Sequence, residues 1–469
     1  MRRLTIRNIG PIQSVCIDLK RINVLIGLQS SGKSTINKIA CHCSWVEKEI
    51  LLKQSVEVFE QGSYFSDQLI EFHKLEGFLN EYSFIEYETD FIFFSYSHHN
   101  LSFSFQWKLT NSNLQYNRTK TLYIPAERNI VAVIPNWFDI KLDNSNLRSF
   151  MSAWQEARNF YNKSSFPILD LGVVYRYNEE IDRDELILSR DSRKIYFRNA
   201  SSGLQSLIPL YTLIKYYTFD LFSKYNKTDF IKNLSTVTIL AREYKLHEES
   251  LKKKVQENID VDQIKKRVLN KITSQETSLD HLEEEINTEI NRIVSSDTFS
   301  NTIFEIMSSK LEGFSHTDLT PLERKELEQV YKTNTEQQCS IFLEEPEVNL
   351  FPTTQRELVK YLVQSTYHNE EGRMHSLFIT THSPYILTTL NNLIYASDCA
   401  KNSTDVPTII AEDYWVNFDD VGVWFVKNGT IECILDQEER QIDATKIDEV
   451  SQLLNNEFDN LLNTQYHEV

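Results

Sequence analysis

The chain holds 469 residues, 41% of them hydrophobic and 12% aromatic, and its 49 basic against 67 acidic side chains give a formal charge of −18. That length exceeds one compact core, the apolar content excludes general disorder, and the acidic balance disfavours a protein that coats DNA through a broad positive face. There is no apolar run of about eighteen residues to span a membrane and the start lacks the apolar block of a signal peptide, so a cytoplasmic address is expected. The six cysteines form no CxxC pair and read as reduced, partly buried thiols rather than a zinc site.

In chain order, the opening alternates as strand, turn, strand, and Arg21-Ile-Asn-Val-Leu-Ile is a buried strand stopping at Gly27. A helical stretch follows over 34 to 75. From 84 to 124 aromatic and β-branched residues with turn clusters such as Asn111-Ser-Asn predict several antiparallel strands. Residues 146 to 162 read as a helix and 184 to 197 as a hairpin. Between 216 and 338 apolar residues recur at three- and four-residue steps, among them Leu251, Val255, Ile259, Leu282, Ile286 and Ile290. That pattern predicts an amphipathic helical hairpin or short coiled-coil arm, with a turn near Asn258 and a helix start near Thr277. The division expected is 1–220, 221–338 and 339–469.

Gly27-Leu-Gln29-Ser30-Ser31-Gly32-Lys33-Ser34-Thr35 fits G-x-x-x-x-G-K-[ST] between a strand and a helix. Glycines let the backbone curl so that successive N–H groups face phosphate oxygens, and the helix N-terminus adds partial positive charge. Lys33 is the expected contact to the β- and γ-phosphates and the Ser34 hydroxyl the expected Mg²⁺ ligand.

Cys339-Ser-Ile-Phe-Leu-Glu344-Glu345 is an apolar strand ending in paired carboxylates. Beside a P-loop, Glu344 can join the Mg²⁺ shell and Glu345 can polarise an attacking water; alone, a surface turn describes the acids equally well. Leu377-Phe-Ile-Thr-Thr-His382-Ser-Pro ends a further apolar strand on a histidine able to sense the γ-phosphate, although a lone histidine is more often a packed one. Ser202-Gly203-Leu204-Gln205 opens a helical stretch, an anion site or an ordinary turn.

Taken together and in this order, the four segments resemble the ATP-binding cassette ATPases. Gly27 to Thr35 is similar to their Walker A loop, Ser202 to Gln205 to their LSGGQ-type signature, Ile341 to Glu345 to Walker B, and His382 to their switch histidine. Glu-Glu-Pro-Glu-Val-Asn-Leu-Phe-Pro from 344 and Thr-Thr-His-Ser-Pro from 380 resemble the SMC-like and OLD-like subgroup found in anti-phage systems such as Septu and PARIS. Tyr123-Ile-Pro-Ala-Glu-Arg128 and Ile447-Asp-Glu-Val-Ser look like that subgroup too.

The resemblance implies an α/β head of P-loop type, a mixed sheet with an antiparallel β subdomain, and an inserted helical arm. It implies a head-to-tail homodimer, or a higher oligomer of such dimers, in which ATP and Mg²⁺ held by Lys33 and Ser34 of one chain are capped by Ser202 and Gly203 of the other. Two departures stand out: Glu344 replaces the usual aspartate, and Leu204 occupies the second signature glycine position, which implies a weaker cap and slower turnover. The segment around Glu127 and Arg128 is the expected coupling region.

The function expected is an ATPase acting as sensor or scaffold for a separate effector, a nuclease of HNH or TOPRIM type. The chain's own His98-His99-Asn100 lacks the spacing of an HNH site, and the residues after His382 lack the carboxylate pairing of an OLD nuclease. The alternative is an SMC-type ATPase acting directly on DNA, with Lys252-Lys-Lys254 and Lys265-Lys-Arg267 as its dense basic candidates. A transporter subunit conflicts with the long insertion after the signature, and a purely structural role for ATP is separable by mutating Glu345.

Overall fold

The computed structural model describes residues 2–108, 116–134, 143–162, 164–223, 335–367, 373–443 and 449–466. The chain divides into two compact units, one made of Met1–Lys224 with Lys332–Val469 and the other of Tyr225–Tyr331. The second unit lies outside the described residues, and with it the turn near Asn258, the helix start near Thr277 and the basic stretches at 252–254 and 265–267.

The first unit is mixed α/β, with three main sheets. β1 (Arg2–Ile9) and β2 (Ile12–Leu19) pair antiparallel, as their alternation predicts, burying Leu4 and Ile6 against Val15 and Ile17. β3 (Ile22–Gly27) is buried along its length and leads through the loop at 28–32 into α1 (Lys33–Lys53). The helical stretch expected over 34 to 75 is two helices: α1 ends at Gln54, whose left-handed backbone caps it, and α2 (Tyr64–His73) begins after a turn through Gly62.

β4 (Leu79–Glu88), β5 (Ile92–Ser97) and β6 (Ser102–Trp107) extend the first sheet antiparallel, in the order β2-β1-β4-β5-β6. The antiparallel reading of 84 to 124 fails at its end. β7 (Thr119–Ile124) leaves that sheet and runs parallel to the strand carrying Glu344. The Asn111 turn lies outside the described residues. α3 (Ile130–Val133) and α4 (Asn146–Phe160) follow, then β8 (Ser165–Pro167), β9 (Val173–Asn178), β10 (Arg183–Leu188) and β11 (Lys194–Tyr196). The hairpin read at 184 to 197 is β10 with β11, inside a four-stranded sheet. α5 (Ser202–Lys215) runs on through a π-turn into α6 (Leu221–Ser223).

Past residue 334 come β12 (Gln338–Glu344), α7 (Pro352–Tyr367), β13 (Ser376–Thr381) and α8 (Pro384–Cys399). β14 (Val421–Lys427) and β15 (Thr430–Cys433) follow, then the short pair β16 (Leu435–Asp436) and β17 (Gln441–Ile442), and α9 (Glu449–Tyr466). No helix of the described residues is long and apolar enough to cross a membrane.

The central sheet has the order β15-β14-β3-β13-β12-β7, with every neighbouring pair parallel except β14–β15. β12 therefore does not stand directly beside β3; β13 lies between them. Leu25, Tyr123, Phe342, Phe378 and Trp424 share one core with Ile36, Ile39 and Val46 of α1 and with the inner face of the first sheet. Side chains alternate along a strand, so Glu344, two residues beyond Phe342, and Thr380, two beyond Phe378, face the same side as α1.

Candidate functional site

The loop from β3 to α1 is shaped for curling back on itself. Gly32 has φ 106° and Ser30 φ 58°, both left-handed, and the Ile36 N–H donates to the Gly32 carbonyl at 2.9 Å to begin the helix. Gln29 and Ser30 are exposed, Thr35 is buried in the first turn, and the Ser31 hydroxyl is buried with no hydrogen-bond partner among the described residues. Lys33 opens α1 and donates from Nζ to the Gly27 carbonyl at 2.9 Å and the Leu28 carbonyl at 2.7 Å. Burial lowers its pKa to about 8, opposed by the nearby charges of Glu345 and Glu347.

Glu344 ends β12, almost fully buried, and burial raises its pKa, opposed by Tyr123, Lys38 and the Ser34 hydroxyl. One carboxylate oxygen, Oε1, is buried without a partner among the described residues. The Tyr123 hydroxyl lies close enough to act on the Glu344 charge but closes no well-formed hydrogen bond with it. Glu345 adopts φ 42°, and its N–H donates to the Thr380 carbonyl at 2.8 Å, tying the end of β12 to β13. A left-handed glutamate is strained, and such strain collects where a side chain must be aimed rather than packed.

From β13, the His382 ring puts Nε2 3.5 Å from Glu345 Oε1, while its backbone N–H donates to Glu347 Oε1 at 2.6 Å. Glu347 Oε2 is a second buried carboxylate oxygen without a partner among the described residues. Ser383 caps α8 and donates to Gln355 of α7 at 2.6 Å. Lys33, Ser34, Glu344, Glu345 and His382 thus gather at the carboxyl ends of β3, β12 and β13.

Ser202 and Gly203 start α5. Ser202 is exposed, and a Cβ at Gly203 would stand 2.8 Å from the Asn349 carbonyl, so the helix start lies flush against the turn after β12. The Gln205 amide donates to the Arg198 carbonyl at 2.9 Å. No hydrogen bond of the described residues joins Ser202 or Gly203 to the loop at 28–32.

Arg128 connects these parts. Fully buried, it donates from Nε to the Ser206 carbonyl at 3.0 Å, from Nη1 to the Glu344 carbonyl at 2.9 Å, and from Nη2 to the Glu345 and Pro346 carbonyls at 2.8 and 3.2 Å. Burial lowers its pKa to about 10, opposed by the charges of Glu347, Glu345, Glu344 and Glu127, so the guanidinium keeps its charge at neutral pH. Arg128 entered the sequence reading within the segment from Tyr123 and as part of a coupling region, Glu347 only within the segment from 344, and Gln355 not at all.

The donor set fits a divalent cation with bound phosphates. Glu344, with its buried unpartnered Oε1, and the Ser34 hydroxyl beside it would supply two oxygens and leave the rest to phosphate and water. That division suits Mg²⁺, which keeps several waters and is seldom caged by protein alone.

No protein-family model matches the chain, and no curated protein does. Among solved structures it is similar to the recombination mediator protein RecF with ATPrS, at 13% identity and TM-score 0.25 over 92% of this chain and 97% of that one. RecF with ATP gives 11% identity and TM-score 0.25 over 92% and 96%. The Smc head domain with a coiled coil and joint from Pyrococcus yayanosii gives 10% identity and TM-score 0.26 over 96% and 100%. Overlaps of that size carry no weight beside the residues themselves.

Proposed function

We propose that the chain is an ATP-hydrolysing ATPase of the ATP-binding cassette kind, working as a head-to-tail homodimer. The observation that supports it is the meeting of Lys33, Ser34, Glu344, Glu345 and His382 at three adjacent strand ends. On this reading the loop N–H groups and Lys33 bind the phosphates, the ammonium exchanging the Gly27 and Leu28 carbonyls for phosphate oxygens. Ser34 and Glu344 hold Mg²⁺, which neutralises phosphate charge when bound. Glu345 takes a proton from the attacking water, and His382 orients its carboxylate.

The exposed start of α5 supports the dimer, since Ser202 is free to face a second chain's nucleotide rather than its own. Leu28 and Phe351, 64% and 72% exposed, supply apolar surface at the loop and beyond β12 for such a contact. Light scattering tests it. Glu345→Gln chain with ATP and Mg²⁺ should double in mass, and Ser202→Arg should stay single; a single-chain mass for both at saturating ATP rules the dimer out.

The finer role we propose is that of a sensor or scaffold for a separate effector, a nuclease in anti-phage defence. It is supported by the resemblance of the segments at 344–352 and 380–384, and by a charge of −18 that suits protein partners better than DNA. Co-purification of a nuclease encoded beside this chain would bear it out. Tight DNA binding at low salt, lost when the basic stretches at 252–254 and 265–267 are reversed, would favour direct action on DNA instead.

A further inference from the structure

A cavity of about 260 Å³ lies among α1, α2, β7 and the start of α4. Its α1 residues, Cys41 to Lys48, sit about two to four turns along the helix from Lys33, so it is separate from the loop at 28–32. Its walls are rings. His42 stands 5.5 Å from Trp45 and 6.3 Å from His73, and His73 stands 4.9 Å from Phe72 and 5.5 Å from Tyr123, centroid to centroid.

Two kinds of unmet chemistry converge there. His42 Nε2, His73 Nδ1 and Thr121 Oγ1 are buried with no hydrogen-bond partner among the described residues, and the two histidines are only 2% and 1% exposed. Burial holds both imidazoles neutral, so each free nitrogen is a donor or acceptor without charge. Lys48 and Lys120 also line the cavity, and the Lys48 pKa is lowered by burial and then by the charges of Lys120 and Arg118. The acids that act on Lys48 are already engaged: Glu336 pairs with Arg118 at 3.4 Å and Glu49 with Lys53 at 2.8 Å. Positive charge is therefore in excess.

We propose that this cavity is a second ligand site, taking a small molecule whose anionic group is carried on a planar ring with hydrogen-bonding edges, no larger than a mononucleotide. The ring lies among Trp45, Phe72 and the imidazoles, its edge meets His42, His73 and Thr121, and the anion meets Lys48 and Lys120. An apolar void would stay dry and a purely polar one would fill with water; aromatic walls with free polar atoms and two cations match neither. Tyr123 belongs to this wall and lies beside Glu344, so occupancy can reach the proposed Mg²⁺ site. That link rests on the proposed function, whereas binding itself does not.

The test is calorimetric titration of the full chain carrying Lys33→Ala, which weakens any nucleotide binding at the loop, with AMP, benzoate, adenosine and inorganic phosphate. AMP or benzoate should bind, the one that does naming phosphate or carboxylate as the anion. Adenosine and phosphate should each bind at least tenfold more weakly than AMP, or than benzoate if that is the ligand. Adding Lys48→Ala with Lys120→Ala should weaken binding tenfold or more, and adding Ser149→Trp, at an exposed position on the rim, should abolish it. No binding of either ring anion at millimolar concentration, or binding unchanged by both sets of substitutions, overturns the proposal. Retention of ATP by the Lys33→Ala chain would count against the loop reading and leave the cavity result standing.

Discussion

Arg128 and Ser206 are joined by a 3.0 Å hydrogen bond from guanidinium Nε to backbone carbonyl, in a place with no access to water. The other nitrogens of the same guanidinium hold the carbonyls of Glu344, Glu345 and Pro346. One side chain thus fixes the helix that begins at Ser202 to the turn that aims Glu345. A shift at either end has to pass through it or break it.

Arg128→Leu should therefore cost about 3 kcal/mol of stability or more, because several buried carbonyls lose a charged donor together. Arg128→Lys should lose less stability, since one ammonium can satisfy some of those carbonyls but lacks the planar fork. Denaturant unfolding measures both, and a loss under about 1 kcal/mol for Arg128→Leu would show that the carbonyls find other partners.

Gly203→Ala places a methyl 2.8 Å from the Asn349 carbonyl, so the start of α5 or the turn must move. An overpacked contact of this sort costs about 1–3 kcal/mol. Ser202→Ala, at an exposed position, should leave stability unchanged yet slow hydrolysis if the residue caps a partner's nucleotide. Equal hydrolysis rates for Ser202→Ala and the natural chain would remove Ser202 from the site.

The lowered pKa of Lys33 has a pH signature. Between about pH 8 and the ordinary lysine range the unfolded chain binds more protons than the folded one, so the nucleotide-free protein gains stability as pH rises through that window. Lys33→Met should lose the gain. A triphosphate beside the ammonium would raise its pKa again, so ATP binding near pH 8 should take up protons. Titrations in two buffers of different ionisation enthalpy read this directly, and a difference that persists in Lys33→Met would assign the uptake elsewhere.

Glu344 behaves in the opposite sense. Burial raises its pKa, so above the ordinary carboxylate range the folded protein retains a proton that the unfolded chain releases, and stability falls as pH rises through that interval. Mg²⁺ needs the carboxylate ionised, so its stabilising effect should grow from acid towards neutral pH and vanish in Glu344→Gln. Thermal unfolding with and without Mg²⁺ decides, and a pH-independent Mg²⁺ effect would exclude Glu344 as the ligand.

The parts of this site legible in the sequence are those written in short-range chemistry. The apolar run from Ile22 to Ile26 is the buried strand its composition predicts, Gly32 has to be a glycine because its φ is 106°, and Lys33 follows at once as the first helical residue. Long-range pairing was not legible. The β-rich composition around Thr119–Ile124 fits an antiparallel meander as well as it fits the parallel partner of β12 that the strand is. Likewise the placement of β13 between β3 and β12 has no local signature, since all three strands are simply apolar. Gln54 ends α1 in a left-handed turn without a glycine or proline to announce it, which is why two helices read as one. Arg128 looks like any surface arginine in a Pro-Ala-Glu-Arg turn, and only packing reveals that its donors are spent on backbone.

The central claim, that Glu345 activates water for attack on ATP, is tested most directly by phosphate release from Glu345→Gln. The account expects the variant to bind ATP as tightly as the natural chain and to release phosphate at least a hundredfold more slowly, the scale of a lost general base. Equal rates for the two proteins would contradict it.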